Sequence, residues 1–232
     1  MRKYRLILID TLILCVVSSV LAVAVNFAVA KLKGEAKKDD PIVIAIIQAD
    51  ATEVEKLVQK GADVTNETDE LGRSALMRAA FVNLSAARDE PGQQGVLSNI
   101  DAKRVGLVGL LLSHGARRDT RDHDGWTALM WAAWSGLTQV VAKLLESGAS
   151  PEFADRQGNT ALIIAAQRGH AAIVAALLAK GADAAQANHG GHTALAAAKT
   201  GLAQCPDQAV GFAAVIAQLT PAQSPAGDSG SR

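Results

Sequence analysis

Asp155-Arg156-Gln157-Gly158-Asn159-Thr160-Ala161-Leu162 decides the fold, because the octet recurs. It stands 33 residues earlier as Asp122-His123-Asp124-Gly125-Trp126-Thr127-Ala128-Leu129, and 33 later as Asn188-His189-Gly190-Gly191-His192-Thr193-Ala194-Leu195. Asp69-Glu70-Leu71-Gly72-Arg73-Ser74-Ala75-Leu76 is a fourth copy. Asp or Asn followed three residues later by Gly is a tight-turn signature. Ser74, Thr127, Thr160 and Thr193 then stand where a helix N-cap belongs. Alanine-rich runs follow, such as Ala161-Leu162-Ile163-Ile164-Ala165-Ala166, small enough to pack closely between neighbours, and Gly136 and Gly169 stop them. A second helix carries Val140, Val141, Leu144 and Leu145, or Ile173, Val174, Leu177 and Leu178, at helical spacing. Gly61-Ala62, Gly115-Ala116, Gly148-Ala149 and Gly181-Ala182 end these second helices. Each unit is thus turn, short helix, turn, longer helix. Alone it cannot bury its apolar face, so the units must stack.

The pattern resembles that of ankyrin repeat proteins, which reads Asp-x-x-Gly-x-Thr-Pro-Leu-His-x-Ala-Ala, then Gly-His, Ile-Val, Leu-Leu and Gly-Ala. Residues 155–182 match it closely, including Gly169-His170, Ile173-Val174, Leu177-Leu178 and Gly181-Ala182. The family's Pro is replaced by Ala75, Ala128, Ala161 and Ala194, and its His by Met77, Met130, Ile163 and Ala196. Since that His normally ties adjacent units by hydrogen bonds, the turns here are expected to depend more on packing. The resemblance implies an all-α solenoid of about five helix-turn-helix units with short β-turn fingers, over about residues 42–219. The units expected are about 42–67, 68–120, 121–153, 154–186 and 187–219.

The ends and one irregularity follow from the same logic. Asp40-Pro41 sets an N-cap beside a Pro at the first helical position. Residues 42–61 then give a helix pair with no preceding turn, as a capping unit would. Pro206 falls where the last unit's second helix should begin, so a shifted helix is expected over about Gln208–Leu219. Residues 220–232, rich in Pro, Gly and Ser, read as a disordered tail. The first Gly-Ala interval is 54 residues instead of 33, so about 20 residues are inserted near 84–103. Ser98 with Asp101 resembles a capping box that restarts the helix after the insertion. The insertion is either a tolerated surface loop or one that contacts a partner.

Before the repeats lies another signal. Arg2, Lys3 and Arg5 precede an apolar stretch, and residues 11–30 hold no charge, long enough to span about 30 Å of hydrocarbon as a helix. One reading is a cleaved secretory signal, with Ala28-Val29-Ala30 as the cleavage site. The other is an uncleaved transmembrane anchor, which Lys31 and Lys33 directly after the stretch favour. A buried helix of the soluble domain is a third, and basic residues on both flanks leave the orientation open. Residues 31–41 are a linker. The pattern looks bacterial. The expected location is the cell envelope, with a periplasmic domain on a single-pass inner-membrane anchor through residues 6–30, or a free periplasmic domain after cleavage near Ala30. Leu14 before Cys15 argues against lipidation there, and Cys205 is either buried and inert, the more common fate, or free to oxidise.

Composition excludes much of the rest. Lys plus Arg and Asp plus Glu each total 23 in 232 residues. Without residues 1–30 the basic count falls to 20 and the acidic to 22, so the domain offers no pull to nucleic acid. No P-loop, Gly-x-Ser-x-Gly or dinucleotide-binding fingerprint is present. His123 and His189 are turn-tip residues two repeat steps apart, about 20 Å at ~10 Å per helical layer, too far to share a metal. An enzyme, a cofactor and a metal are therefore not expected.

The three Trp all fall in one unit. Trp131 reads as packed core. The resemblance places Trp126 and Trp134 at variable positions of the concave surface, where ankyrin partners bind. Their counterparts are Arg73 and Phe81, Asn159 and Gln167, and His192 and Thr200; His123, Arg156 and Arg168 adjoin them. Trp and Arg are frequent interface anchors, though both Trp could instead pack on a neighbouring finger. The expected function is non-catalytic binding of another protein by a monomer. The alternative is an accessory or immunity-type inhibitor of an envelope enzyme or toxin.

Overall fold

The computed structural model describes residues 41–65, 68–81 and 94–220. The predicted signal or anchor, most of the linker, the first part of the insertion and the tail beyond 220 lie outside the described residues. Among the described residues no helix is long and apolar enough to cross a membrane.

The described helices are α1 (Pro41–Gln48), α2 (Ala51–Gln59), α3 (Ala75–Ala79), α4 (Gln94–Ser113), α5 (Ala128–Ser135), α6 (Thr138–Glu146), α7 (Ala161–Gln167), α8 (Ala171–Ala179), α9 (Ala194–Gln204) and α10 (Ala209–Leu219), with a 3₁₀ turn at Pro206–Gln208. They pair consecutively as hairpins. The first helices α1, α3, α5, α7 and α9 pack side by side in one layer, and the second helices α2, α4, α6, α8 and α10 in another. The core is one continuous apolar cluster between the layers, from Ile42 to Leu219. Among the described residues no strand forms; isolated bridges join Thr68 to Ser74, Ala154 to Thr160 and Ala187 to Thr193.

Local chemistry sets the helix starts. Ser74, Thr127, Thr160 and Thr193 have extended backbones, and their hydroxyls accept from the N–H of Met77, Met130, Ile163 and Ala196. Ala132, Ala133, Ala165 and Ala166 are fully buried, and their small size lets the first layer pack tightly. At Gly136, φ +78°, a Cβ would meet the His170 ring at 2.9 Å, so this glycine both turns the chain and seats the next unit's histidine. At the C-terminal end the buried ring of Phe212 lies on Gly169 instead, which is how the shifted α10 closes the stack.

Unit two departs from the expected form. Helix α4 begins at Gln94, so Ser98 and Asp101 lie inside it and do not restart it. Spacing of three puts two residues on one helix face whether or not a helix begins there. Asp101, buried, caps a different helix: its carboxylate accepts from Gln139 N at 2.8 Å and Val140 N at 3.1 Å. That end of α6 has no side-chain cap of its own, its N-cap residue being Leu137. One turn along, Arg104 donates to the carbonyls of Arg78 (3.1 Å), Ala79 (2.9 Å) and Ile47 (3.2 Å), closing the C-terminal ends of α3 and α1. A buried cation on carbonyl ends is favourable to the helix dipoles. Burial pushes the Asp101 carboxyl above its usual range despite those N–H donors, and lowers the pKa of Arg104.

Of the two alternatives for Cys205 the structure has the second: it is exposed and free. It caps α9 directly before Pro206, so it falls in the junction between helices and not on an apolar face.

Candidate partner-binding surface

The turns are built alike. Asp69 accepts from the N–H of Leu71 and Arg73, Asp122 from Asp124 and Trp126, Asp155 from Gln157 and Asn159, and Asn188 from Gly190 and His192. Successive turns are tied by backbone bonds: His123 N to Leu71 O, Arg156 N to Asp124 O and His189 N to Gln157 O, at 2.9–3.0 Å. The family's missing His is thus not required to connect them.

The second oxygen of each turn carboxylate is satisfied by whichever side chain the unit supplies. Asp69 Oδ2 pairs with Arg73 at 2.7 Å and Arg78 at 3.2 Å. Asp122 Oδ2 accepts the Trp131 indole N–H at 3.0 Å, and Asp155 Oδ2 accepts the Asn159 amide at 3.0 Å. Burial alone would raise the Asp69 pKa, but the Arg73 hydrogen bonds and the charges of Arg73 and Arg78 outweigh it and hold the carboxyl below its usual range.

Four rings then form a row across neighbouring units. Trp126 lies on Trp131 with centroids 4.6 Å apart, and Trp131 meets Phe81 edge-on at 4.9 Å. Phe81 lies 5.8 Å from Trp134, and Trp131 lies 6.5 Å from it. The Arg168 guanidinium sits 4.6 Å from the Trp134 centroid, a cation–π contact. All five side chains are half-buried. Phe81 follows the end of α3, the Trp belong to the third unit, and Arg168 is the C-cap of α7.

Of the residues singled out in the sequence, Phe81, Trp126, Trp134 and Arg168 are therefore brought together. Arg73 and Asn159 serve the turns; the Asn159 side-chain Oδ1 also accepts from Asn188 Nδ2 at 2.7 Å. His123, Arg156, Gln167 and His192 are exposed, and the His123 ring covers Gly72 of the preceding turn. Trp131, expected as packed core, is half-buried and packs against the edge of the core cluster. The alanines at 79, 80, 132 and 133 are wholly buried, whereas the Trp131 indole reaches the turn and is held there by Asp122. The signal was Arg78, at the same repeat position: a cation there shows that the position reaches the turn carboxylate.

The arrangement is an aromatic row bordered by arginine. Among the described residues no three His, Cys, Asp or Glu side chains are grouped as a metal would need. Fold and surface together define a stacked helical-repeat scaffold. The family model "Ankyrin repeats (3 copies)" matches residues 100–155 and 141–205, and those residues are ankyrin repeats. Repeats of this family generally mediate protein–protein interaction and are typically non-catalytic. No curated protein matches the chain.

Proposed function

We propose that this chain is an exported binding module that captures a partner protein through the aromatic row, which the family resemblance places on the concave side of the solenoid. The observation that carries the reading is the row itself: Trp126, Trp131, Phe81 and Trp134, half-buried and ending under Arg168. Isolated apolar residues on a surface need no explanation, but a contiguous aromatic patch does. The rings are held by one another and by Asp122, so little side-chain entropy is lost when a partner closes over them. Export rests on the basic start and uncharged residues 11–30; intact-mass measurement and fractionation of native protein test it.

Replacing Trp126 and Trp134 together by Ala tests the binding surface. Trp hot spots contribute about 2 kcal/mol or more each, so the double variant should lose partner affinity by roughly a thousandfold. The cores of α5 and α7 are untouched, so helicity should persist. Undiminished recovery of the partner would remove this surface from consideration.

A further inference from the structure

A second site lies at the C-terminal ends of α4 and α6. A cleft of about 890 Å³ opens there, lined by Gly109, Ser113, Arg117, Arg118, Lys143 and Ser147 among others. It shares no residue with the aromatic row. Its volume falls in the range of small-molecule sites, and its charge is one-sided: three cations line it with one carboxylate, Asp119. That carboxylate lies 4.0 Å from the Arg118 guanidinium and accepts from Ser150 N. Arg117 and Lys143 pair with no carboxylate among the described residues.

Helix C-termini ordinarily repel anions, but here their carbonyls are occupied. In α4, Leu110, Leu111 and Leu112 accept from His114, Ala116 and Gly115; in α6, Lys143, Leu144 and Leu145 accept from Ser147, Ala149 and Gly148. Arg118 adds its own bond to Ser147 O at 2.6 Å, which also fixes this guanidinium over the cleft. Gly109 supplies a floor on which the half-buried Lys143 stem lies, 3.5 Å from where a Cβ would stand. Gly115 and Ala116 add small residues to the lining.

We infer that this cleft binds a small polyanion bearing two or more phosphate charges, with Arg117 and Lys143 as its direct ligands and Arg118 as the fixed third cation. A free polyphosphate ester and a phosphorylated lipid headgroup share that chemistry. Titration calorimetry of the full-length chain with inorganic pyrophosphate at low salt addresses the first source. Flotation with phosphatidylcholine vesicles, with and without phosphatidic acid, addresses the second. The R117Q/K143Q variant should weaken binding about tenfold or more, since charge-assisted contacts dominate such a site. R117K/K143R should retain it, which separates lost charge from a disturbed fold, and R156Q, on the turn face, should leave it unchanged. Pyrophosphate binding lost in R117Q/K143Q supports a soluble ligand. Phosphatidic-acid-dependent flotation lost in the same variant supports a headgroup. Absence of both, or binding that the double variant keeps or that R156Q loses equally, overturns the site. Because the two surfaces share no residue, the outcome is independent of whether the aromatic row captures a protein.

Discussion

Asp101→Ala should unfasten the third unit from the second. The carboxylate caps α6 through Gln139 N and Val140 N, at a helix start with no side-chain cap of its own. Losing an N-cap costs about 1 kcal/mol, with a range of roughly 0.5–2. Leaving a buried N–H without a partner costs about 1–3 kcal/mol. Against this, the variant no longer has to bury a carboxylate, an expense visible in the raised Asp101 pKa. A net loss of about 2 kcal/mol is the balance, or about 4–8 °C in melting temperature for a domain of this size. Asp101→Asn separates the two contributions, because the amide oxygen still accepts from the α6 N-terminus without charge. The sign follows from linkage. A folded-state carboxyl pKa above the unfolded 3.8 means the folded chain binds more protons in the window between the two values, so this group's contribution falls as pH rises through that window. At neutral pH Asn therefore stands close to the parent, and acidification should stabilise the parent relative to Asn. Urea unfolding followed by circular dichroism gives the global loss, and hydrogen exchange at Gln139 and Val140 gives its location. If D101A unfolds within about 0.5 kcal/mol of the parent, or if D101N is as damaged as D101A, the capping argument is wrong.

Three further outcomes can be checked. Trp131→Phe keeps a ring in the row but removes the indole donor to Asp122; a loss of about 1 kcal/mol and an altered near-ultraviolet dichroism are expected, and an unchanged aromatic spectrum would refute the stacked geometry. Gly201→Ala would put a Cβ 2.6 Å from Gln167 O and against Phe212, costing about 2 kcal/mol or more, whereas Gly106→Ala, in α4 with nothing within 4 Å, should stabilise by about 0.5–1 kcal/mol; thermal melts that do not separate the two would contradict the packing described. The contribution of Asp69, whose pKa is lowered in the folded state, is full above the unfolded 3.8 and is lost as pH falls through the folded value; melts between neutral pH and about pH 3 should lose less stability in Asp69→Asn than in the parent, and parallel curves would rule this out.

The repeat was legible because its determinants are local. Each cap hydroxyl meets an N–H three residues on, and each turn carboxylate binds amides two and four residues on, so the sequence interval is the structural interval. Asp101 and Arg104 were not legible in the same way. The partners of Asp101 are 38 and 39 residues on, in the next unit, and those of Arg104 lie between 25 and 57 residues back, across the insertion that breaks the period. No local pattern distinguishes an aspartate capping its own helix from one capping its neighbour's.

The candidate surface stands between these cases. The repeat register puts Phe81 at the position that Trp134 holds in the next unit and Arg168 at the end of the following first helix, and the three side chains meet there. What register alone does not fix is side-chain direction, and there the turn carboxylate decides. Asp69, Asp122 and Asp155 each need a donor for the outer oxygen, and they take it from Arg73 and Arg78, from Trp131, and from Asn159. In the third unit the position of Arg73 and Asn159 holds Trp126, whose ring lies against Trp131 while Trp131 itself supplies the donor. The aromatic row thus follows from two constraints acting together: rings that pack on one another at neighbouring repeat positions, and a carboxylate that holds the Trp131 N–H at the turn.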